Sequence, residues 1–258
     1  MVTITVITCT YNAEPVLQRT LDSVLRQCYA NVEHLIIDGA SRDASMDMVG
    51  RYAECSARQM PSHRVVAVSE PDRGLYDAMN KGLVKATGDY LVFLNAGDVL
   101  PDAMTLQHVA ECAGDGTAMP AVVYAKTDIV DMDGRFLRHR RLEPSDGLTW
   151  RSFRQGMLVC HQAFYARREL AREVLYDTSL RFSADVDWCI RIMKLAEQQG
   201  IPLRFLDEVV VNYLDGGMTD RNHRASLRER FRVMCRHYGL PVTLAMHGWF
   251  VVRALLKR

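Results

Sequence analysis

Four short stretches combine residue types able to do chemistry. Asp38-Gly39 and Asn95-Ala96-Gly97-Asp98 each follow an apolar run with the look of a strand. Asp72-Arg73 precedes a helical stripe, and Ala184-Asp185-Val186-Asp187 opens another. A carboxylate at a strand end suits a hard divalent cation, which takes oxygen ligands and bridges phosphates. Asp72 and Arg73 stand where a helix N-terminus leaves backbone N–H groups free for anions. Each stretch also has a plainer role, because Asp and Gly form turns and Asp caps helices. Spacing alone leaves the two roles level at Asp38 and Asp98 and slightly favours a capped surface helix after Asp72-Arg73. No Walker A loop is present and no G-x-G-x-x-G follows the first strand, so P-loop and dinucleotide-fold chemistry is excluded.

The elements that must position these residues alternate between two periodicities. Val2 to Thr8 is short and β-branched, and Pro15 to Gln27 follows with Val16, Leu17, Leu21, Val24 and Leu25 at helical spacing. The pattern repeats with strands at 32–37, 65–68 and 90–94 and helices at 44–54 and 75–86. In the last of these, Leu75, Met79, Leu83 and Ala86 form the apolar stripe, leaving Asp77, Asn80, Lys81 and Lys85 on other faces. Strands separated by such helices imply right-handed crossovers and a mainly parallel sheet. Ligands then bind beyond the carboxyl ends of the strands, where Asp38 and Asp98 fall. Past Asp98 the rhythm changes. A helix is expected at 101–112, a strand at 121–129 returning through 135–141, a loop at 147–159, a helix at 185–198, a strand at 209–213 and two closing helices. The expected architecture is a single α/β domain with flanking helices and a more irregular second half.

The segments TVITCTYN (5–12), IIDGASRDAS (36–45), SEPDRGLYDAMNKGLVKATGDYLVFLNAGD (69–98), CHQAFYARREL (160–170) and SADVDWCIRI (183–192) resemble family 2 glycosyltransferases of the GT-A fold. They are most similar to the subset in bacterial exopolysaccharide clusters, including a colanic-acid-type glycosyltransferase. The likeness runs in order from about Val2 to Thr219, and the 69–98 block is its most specific part.

The resemblance implies an inverting, hexosyltransferase-type reaction. A sugar would pass from a UDP- or GDP-sugar to an acceptor hydroxyl, assisted by Mn2+ or Mg2+. Thr8, Tyr11 and Asn12 match the loop beside the nucleoside, and Asp38 the acid that bonds the base. Asp72, Arg73 and Asn80 fall in the segment flanking the diphosphate. Asn95, Ala96 and Gly97 border the donor, with Asp98 matching the last acid of the DxD-like metal motif. Asp185 matches the Asp of the "ED" motif, the catalytic base. His161 and Gln162 fall on a strand at the acceptor or phosphate side, and Asp187 is a second choice beside the base. His223 could reach the metal or be a solvated surface residue, and Gly216-Gly217 suggests a mobile loop able to cover the donor. Two departures stand out. Asn95-Ala96-Gly97-Asp98 keeps one carboxylate where relatives often read Asp-x-Asp-Asp, and Ala184 replaces the usual Glu before the base. The QxxRW motif and transmembrane helices of processive synthases are lacking, which favours a single-transfer enzyme.

Composition sets the outer limits. The 258 residues are 48% hydrophobic and 24% charged, as in a soluble globular protein with ample core. Seven cysteines, with no CxxC pair, suit a reducing cytoplasmic compartment rather than a disulfide framework or zinc knuckle. The net charge of +1 suggests no polyanionic partner such as nucleic acid. That near-neutrality hides nine Lys or Arg against one acid, Glu229, from Arg221 onward. A GT-A domain over 1–220 and a basic helical extension over 221–258 follow. Val242 to Leu256 is too short and interrupted for a membrane span of ~20 apolar residues. Trp249, Phe250, Arg253, Lys257 and Arg258 would suit either a helix lying on an anionic membrane at its cytoplasmic face or one packed on the domain. A lipid-linked acceptor, as the resemblance implies, favours the membrane. The reduced metal motif leaves a second expectation, a nucleotide-sugar or glycan-binding module with weakened catalysis. A nucleotidyltransferase would need a glycine- and lysine-rich loop at Thr10–Pro15, which the sequence lacks.

Overall fold

The computed structural model describes residues 1–60, 62–216 and 223–256. Its first half is the expected alternation. Strands β1 (Ile4–Thr10), β2 (Val32–Asp38), β3 (Arg64–Ser69) and β4 (Tyr90–Phe93) pair in parallel in the order β3-β2-β1-β4. Every residue of β1 and β2 is buried, which is why both read as continuous β-branched and apolar runs rather than alternating ones. Helices α1 (Glu14–Leu25) and α2 (Ser45–Gln59) build a small core with β2 from Leu17, Leu21, Ile36, Met48, Val49 and Tyr52. Helix α3 (Leu75–Lys85) packs Met79 and Leu83 into the main core. A Cβ on Gly82 would stand 2.6 Å from Ile7, so glycine lets α3 lie close on β1.

The second half departs from a mainly parallel sheet. After α4 (Thr105–Ala113) come β5 (Val122–Val130), β6 (Phe136–His139), β7 (Phe164–Arg167), α5 (Arg168–Glu173), α6 (Ala184–Gln199) and β8 (Leu203–Leu214). Strand β7 is antiparallel to both β4 and β5, while β8 runs parallel to β5. The sheet is therefore mixed beyond β4. Neither β7 nor α5 is separated by periodicity, because four- and six-residue elements are too short to show one. Strand β8 begins six residues earlier than expected, through Leu203-Arg204-Phe205-Leu206 and two register shifts against β5. The 147–159 stretch contains a 3-10 turn at Trp150–Gln155, closed by a capping box between Thr149 and Ser152.

These pairings converge on one edge. Because β7 reverses direction beside β4, its start lies next to the end of β4, carrying the preceding His161–Ala163 turn to Asn95. A bridge between Val99 and Asn212 brings the end of β8 to Asp98.

Helices α7 (His223–Tyr238) and α8 (Leu240–Leu256) close the described chain. The domain boundary expected near residue 220, with Gly217 of the expected mobile loop, lies outside the described residues, as do Arg221, Lys257 and Arg258. Beyond that boundary α7 packs on α6. The carboxylate of Glu229 accepts from the backbone N–H groups of Arg181, Phe182 and Ser183 (2.8, 2.5 and 2.7 Å). These precede α6, where an anion is favoured by the helix dipole. Among the described residues no helix is long and apolar enough to cross a membrane.

Candidate active site

A cavity of about 680 Å³ opens along the converging edge, with walls from both halves. On the strand-end side, Asp98 is 4% exposed. Its Oδ1 accepts from the Leu214 amide (2.9 Å) and its Oδ2 from the Gln162 side chain (2.7 Å). Gln162 is itself fixed by the Cys160 thiol, which donates to its Oε1 (2.6 Å). Burial pushes the Asp98 carboxyl up to about 6, against the pull of those two donors and of His161 and Arg19. Beside it, the Asn95 side-chain oxygen is buried with no hydrogen-bond partner. An orphaned amide oxygen and a carboxylate are both hard donors, the kind Mg2+ or Mn2+ takes. Among the described residues no three His, Cys, Asp or Glu side chains are grouped so as to hold a metal ion by themselves. A cation here would be held by Asp98 and Asn95 and otherwise by its substrate and water.

The far wall carries Asp185, in the first turn of α6. Its Oδ1 accepts from the Val186 amide (2.9 Å) and the Tyr76 hydroxyl (3.3 Å), and its Oδ2 lies 3.4 Å from His161 Nδ1. Burial pushes its carboxyl up, but His161, the Val186 amide and Arg230 outweigh that and hold it below the usual value. His161 links the two walls, with its Nε2 3.4 Å from Asn95 Nδ2. Asp98, Asn95, Gln162, His161 and Asp185 thus share one cavity, together with Tyr11 and Ala96.

Other expected residues stand further back. Thr8 lies inside β1 rather than in the loop after it, because the strand runs two residues longer than expected. It is fully buried with its hydroxyl 3.0 Å from His34 Nε2. Asp38 is fully buried and accepts from the Ser41 amide and hydroxyl and from the Ser69 hydroxyl (2.6 Å). Asn12, at φ 48°, ties the β1 loop to the β2 loop through Ser41 and Arg42. Gly97 adopts φ 102° and donates its N–H to Thr20. Asn80 clamps the backbone of Tyr176 from both sides (3.0 and 2.7 Å). Arg73 is exposed and paired with Asp77 (3.0 Å). Asp72 approaches Gly39 so closely that a Cβ there would meet its Oδ2 at 2.5 Å and the Tyr11 ring at 3.2 Å. Tyr11 is itself 63% exposed, so this corner forms an open aromatic and acidic cradle.

The expectation of an acceptor-side Asp187 is corrected. Two residues along a helix turn the side chain away, and Asp187 is fully buried against His237 (2.8 Å) and Arg191 (2.7 Å), where it locks α7 to α6. The His223 side chain lies outside the described residues.

Three contributors escaped the sequence. Tyr76 sits in the distinctive 69–98 block as the aromatic at the start of α3, and could have been read there. Glu229, the lone acid of a basic tail, was visible as an anomaly. Arg230 was hidden among identical neighbours, and only tertiary packing aims it into the cavity.

A parallel β1–β4 sheet with acids at its carboxyl edge, joined through an antiparallel β7 to a helix bearing a carboxylate, defines a GT-A-type α/β fold. A sequence model of "Glycosyl transferase family 2" matches residues 5–175, and the chain belongs to that family. It is 32% identical over 216 residues to a PGL/p-HBAD biosynthesis glycosyltransferase of Mycobacterium bovis BCG, covering 82% of this chain and 77% of that protein. It is 23% identical over 256 residues to the uncharacterized glycosyltransferase EpsJ of Bacillus subtilis, covering 92% and 71%. In structure it is similar to the mannosyltransferase PcManGT from Pyrobaculum calidifontis in complex with GDP-Man and Mn2+ (TM-score 0.64, 21% identity, 99% of this chain and 79% of that one). It is also similar to S. aureus TarS 1–349 in complex with UDP-GlcNAc (TM-score 0.68, 15% identity), where it spans 90% of its own length but 65% of that chain.

Proposed function

We propose that the chain transfers a sugar, with inversion, from a UDP- or GDP-sugar to a hydroxyl of a lipid-linked or oligosaccharide acceptor in surface or exopolysaccharide synthesis. One observation carries this reading: Asp185 and Asp98 face one cavity from opposite halves, with His161 between them. Inverting displacement needs one base at the acceptor hydroxyl and charge compensation at the departing diphosphate. Mn2+ or Mg2+ held by Asp98 and Asn95 would supply that compensation. Tyr11, Gly39 and Asp72 offer the cradle for the nucleoside, with Asp38 and Asn12 fixing the loops that form it. Asp185 takes the proton from the acceptor hydroxyl, for which its reach must be about 2.6–3.2 Å. His161 and Tyr76 hold its orientation, and Glu229 fixes the backbone immediately before it.

The protein is proposed to work at the cytoplasmic face of a membrane as a peripheral enzyme. Exposed Leu240, Leu244, Trp249 and Val252 on α8, next to exposed Arg228 and Arg232 of α7, support that placement.

The test is Asp185→Asn, assayed with a panel of UDP- and GDP-sugars with and without Mn2+. Transfer should be abolished while thermal stabilisation by the nucleotide persists. Full activity in the variant removes Asp185 as the base, and no stabilisation of the wild type by any nucleotide removes the donor site. Donor binding without transfer or hydrolysis across a broad acceptor screen would favour the binding-module alternative.

A further inference from the structure

Arg230 is a charge in the cavity that donor binding and proton transfer leave unused. It lies on α7 and lines the same cavity as Asp185. Its Nε is buried without a hydrogen-bond partner, and no ion pair closes on its guanidinium among the described residues. Arg230 is half-buried as a whole, so its charge can meet a ligand in the cavity while its Nε stays unsatisfied, and a guanidinium fork matches the two oxygens of a phosphate or carboxylate.

The surrounding charges do not satisfy it. Glu229, its neighbour in sequence, faces the amides of Arg181–Ser183. Asp185 attracts it from across the cavity, while Arg140 and Arg141 repel it. Arg140 lines the same cavity, anchored through Nη1, which donates to the carbonyls of Leu142 and Met157 (2.8 and 2.7 Å). Position within the site selects the ligand. In an in-line displacement the nucleophile and the leaving group occupy opposite faces of the anomeric carbon. The diphosphate belongs beside Asp98, so Arg230, which Asp185 attracts, lies on the acceptor's face.

We propose that Arg230, with Arg140 beside it, forms an oxyanion subsite for the acceptor, receiving a phosphate or carboxylate carried near the reacting hydroxyl. The inference rests on the transfer reading, with Asp185 as the acceptor-side base. An anion in this subsite pairs Arg230 and releases its hold on Asp185, so the base gains basicity when its proper acceptor is bound.

The experiment uses the full chain saturated with Mn2+ and whichever of UDP or GDP stabilises it more, which fills the diphosphate position. Phenyl phosphate and phenyl glucuronide are then titrated separately by calorimetry, and the arm that binds distinguishes phosphate from carboxylate. Wild type binds at least one probe. Arg230→Gln weakens that binding at least tenfold, Arg230→Lys weakens it less, and Arg58→Gln, exposed on α2, leaves it unchanged. Nucleotide affinity stays within twofold in all three, and near-UV circular dichroism confirms their fold. Equal probe binding by wild type and Arg230→Gln, or none by either, overturns the proposal. So does a nucleotide affinity that falls in step with probe affinity, which would assign Arg230 to the donor. Failure of wild type to bind any nucleotide is the separate failure of the transfer reading and takes this inference with it.

Discussion

Asp38 and Asp185 are the same side chain at the same edge of the molecule, contributed by its two halves and held in opposite ways. Asp38 is fully buried and accepts from three donors, two on Ser41 of the loop after β2 and one on Ser69 at the end of β3. Asp185 has one close donor, its own-turn Val186 amide, while Tyr76 and His161 stand off at 3.3 and 3.4 Å and its side chain is 19% exposed. The first is a joint, and its lone pairs are spent on geometry. The second keeps acceptor capacity facing a cavity. The regular parallel half frames the site, and the irregular half carries its least satisfied charges.

The sharpest way to break this contrast is to make the same change at both positions. Asp185→Asn should cost about 10²–10⁴ in kcat, the range for a general base, with nucleotide affinity within about twofold. Asp38→Asn should cost stability instead, about 2 kcal/mol or roughly 5 °C in melting temperature, because a carboxylate accepting three bonds becomes an amide with one acceptor oxygen. Steady-state kinetics and thermal melts on both variants decide it. A collapse of kcat in Asp38→Asn with unchanged stability would reverse the two roles.

Glu229 tests whether the basic tail belongs to the site. Glu229→Ala leaves three successive amides unpaired ahead of α6 and should destabilise by about 3 kcal/mol. Turnover should fall with it, since Asp185 loses its fixed backbone. Glu229→Asp should restore part of both. Wild-type turnover in a destabilised Glu229→Ala would separate α7 from the chemistry.

How much of this was legible follows the same division. The β1–β4 alternation was written in buried β-branched runs and amphipathic helices, and the acids at strand ends marked the edge before any contact was known. Asp185 was singled out by resemblance, and in the fold it lines the cavity. Asp187 went the other way, because periodicity shows that it leaves the Asp185 face but not which cations wait there. Arg230 was read as one more charge of a basic tail, and Glu229 as its lone acid with no role attached. A composition count cannot distinguish an arginine aimed into a cavity from one in solvent, nor an acid that caps a helix of another segment.

Gly39→Ala probes the framing half more gently. The new Cβ would press the Asp72 carboxylate, the end of a movable side chain, and crowd the Tyr11 ring. Stability should change by less than about 1 kcal/mol, while nucleotide affinity, read by calorimetry, falls about tenfold as the cradle deforms. Unchanged affinity would remove Tyr11 and Asp72 from the donor site.

Acid offers the smallest effect and a test of which half lets go first. Asp177 is lowered from 3.8 to about 2, by the Ser179 hydroxyl and then by Arg236 of α7. Asp187 is also lowered, since His237 and Arg191 outweigh the upward push of burial. A carboxyl depressed in the folded state stabilises it fully above its unfolded value and loses that contribution as pH falls through the folded one. Between about pH 4 and 2 the Asp177 grip on α7 therefore weakens, costing about 1 kcal/mol at this partly exposed group after allowance for solvent screening, and acid loosens the Asp187 grip in the same direction. Trp150 reports the event, because its ring stacks on Tyr238 of α7 at 5.6 Å and its carbonyl accepts the Tyr238 hydroxyl (2.6 Å). Its near-ultraviolet signal should change on acidification before far-ultraviolet dichroism shows loss of the parallel sheet. Coincident transitions would mean that α7 and the sheet unfold as one unit, erasing the division between a rigid frame and a separately fastened wall of the cavity.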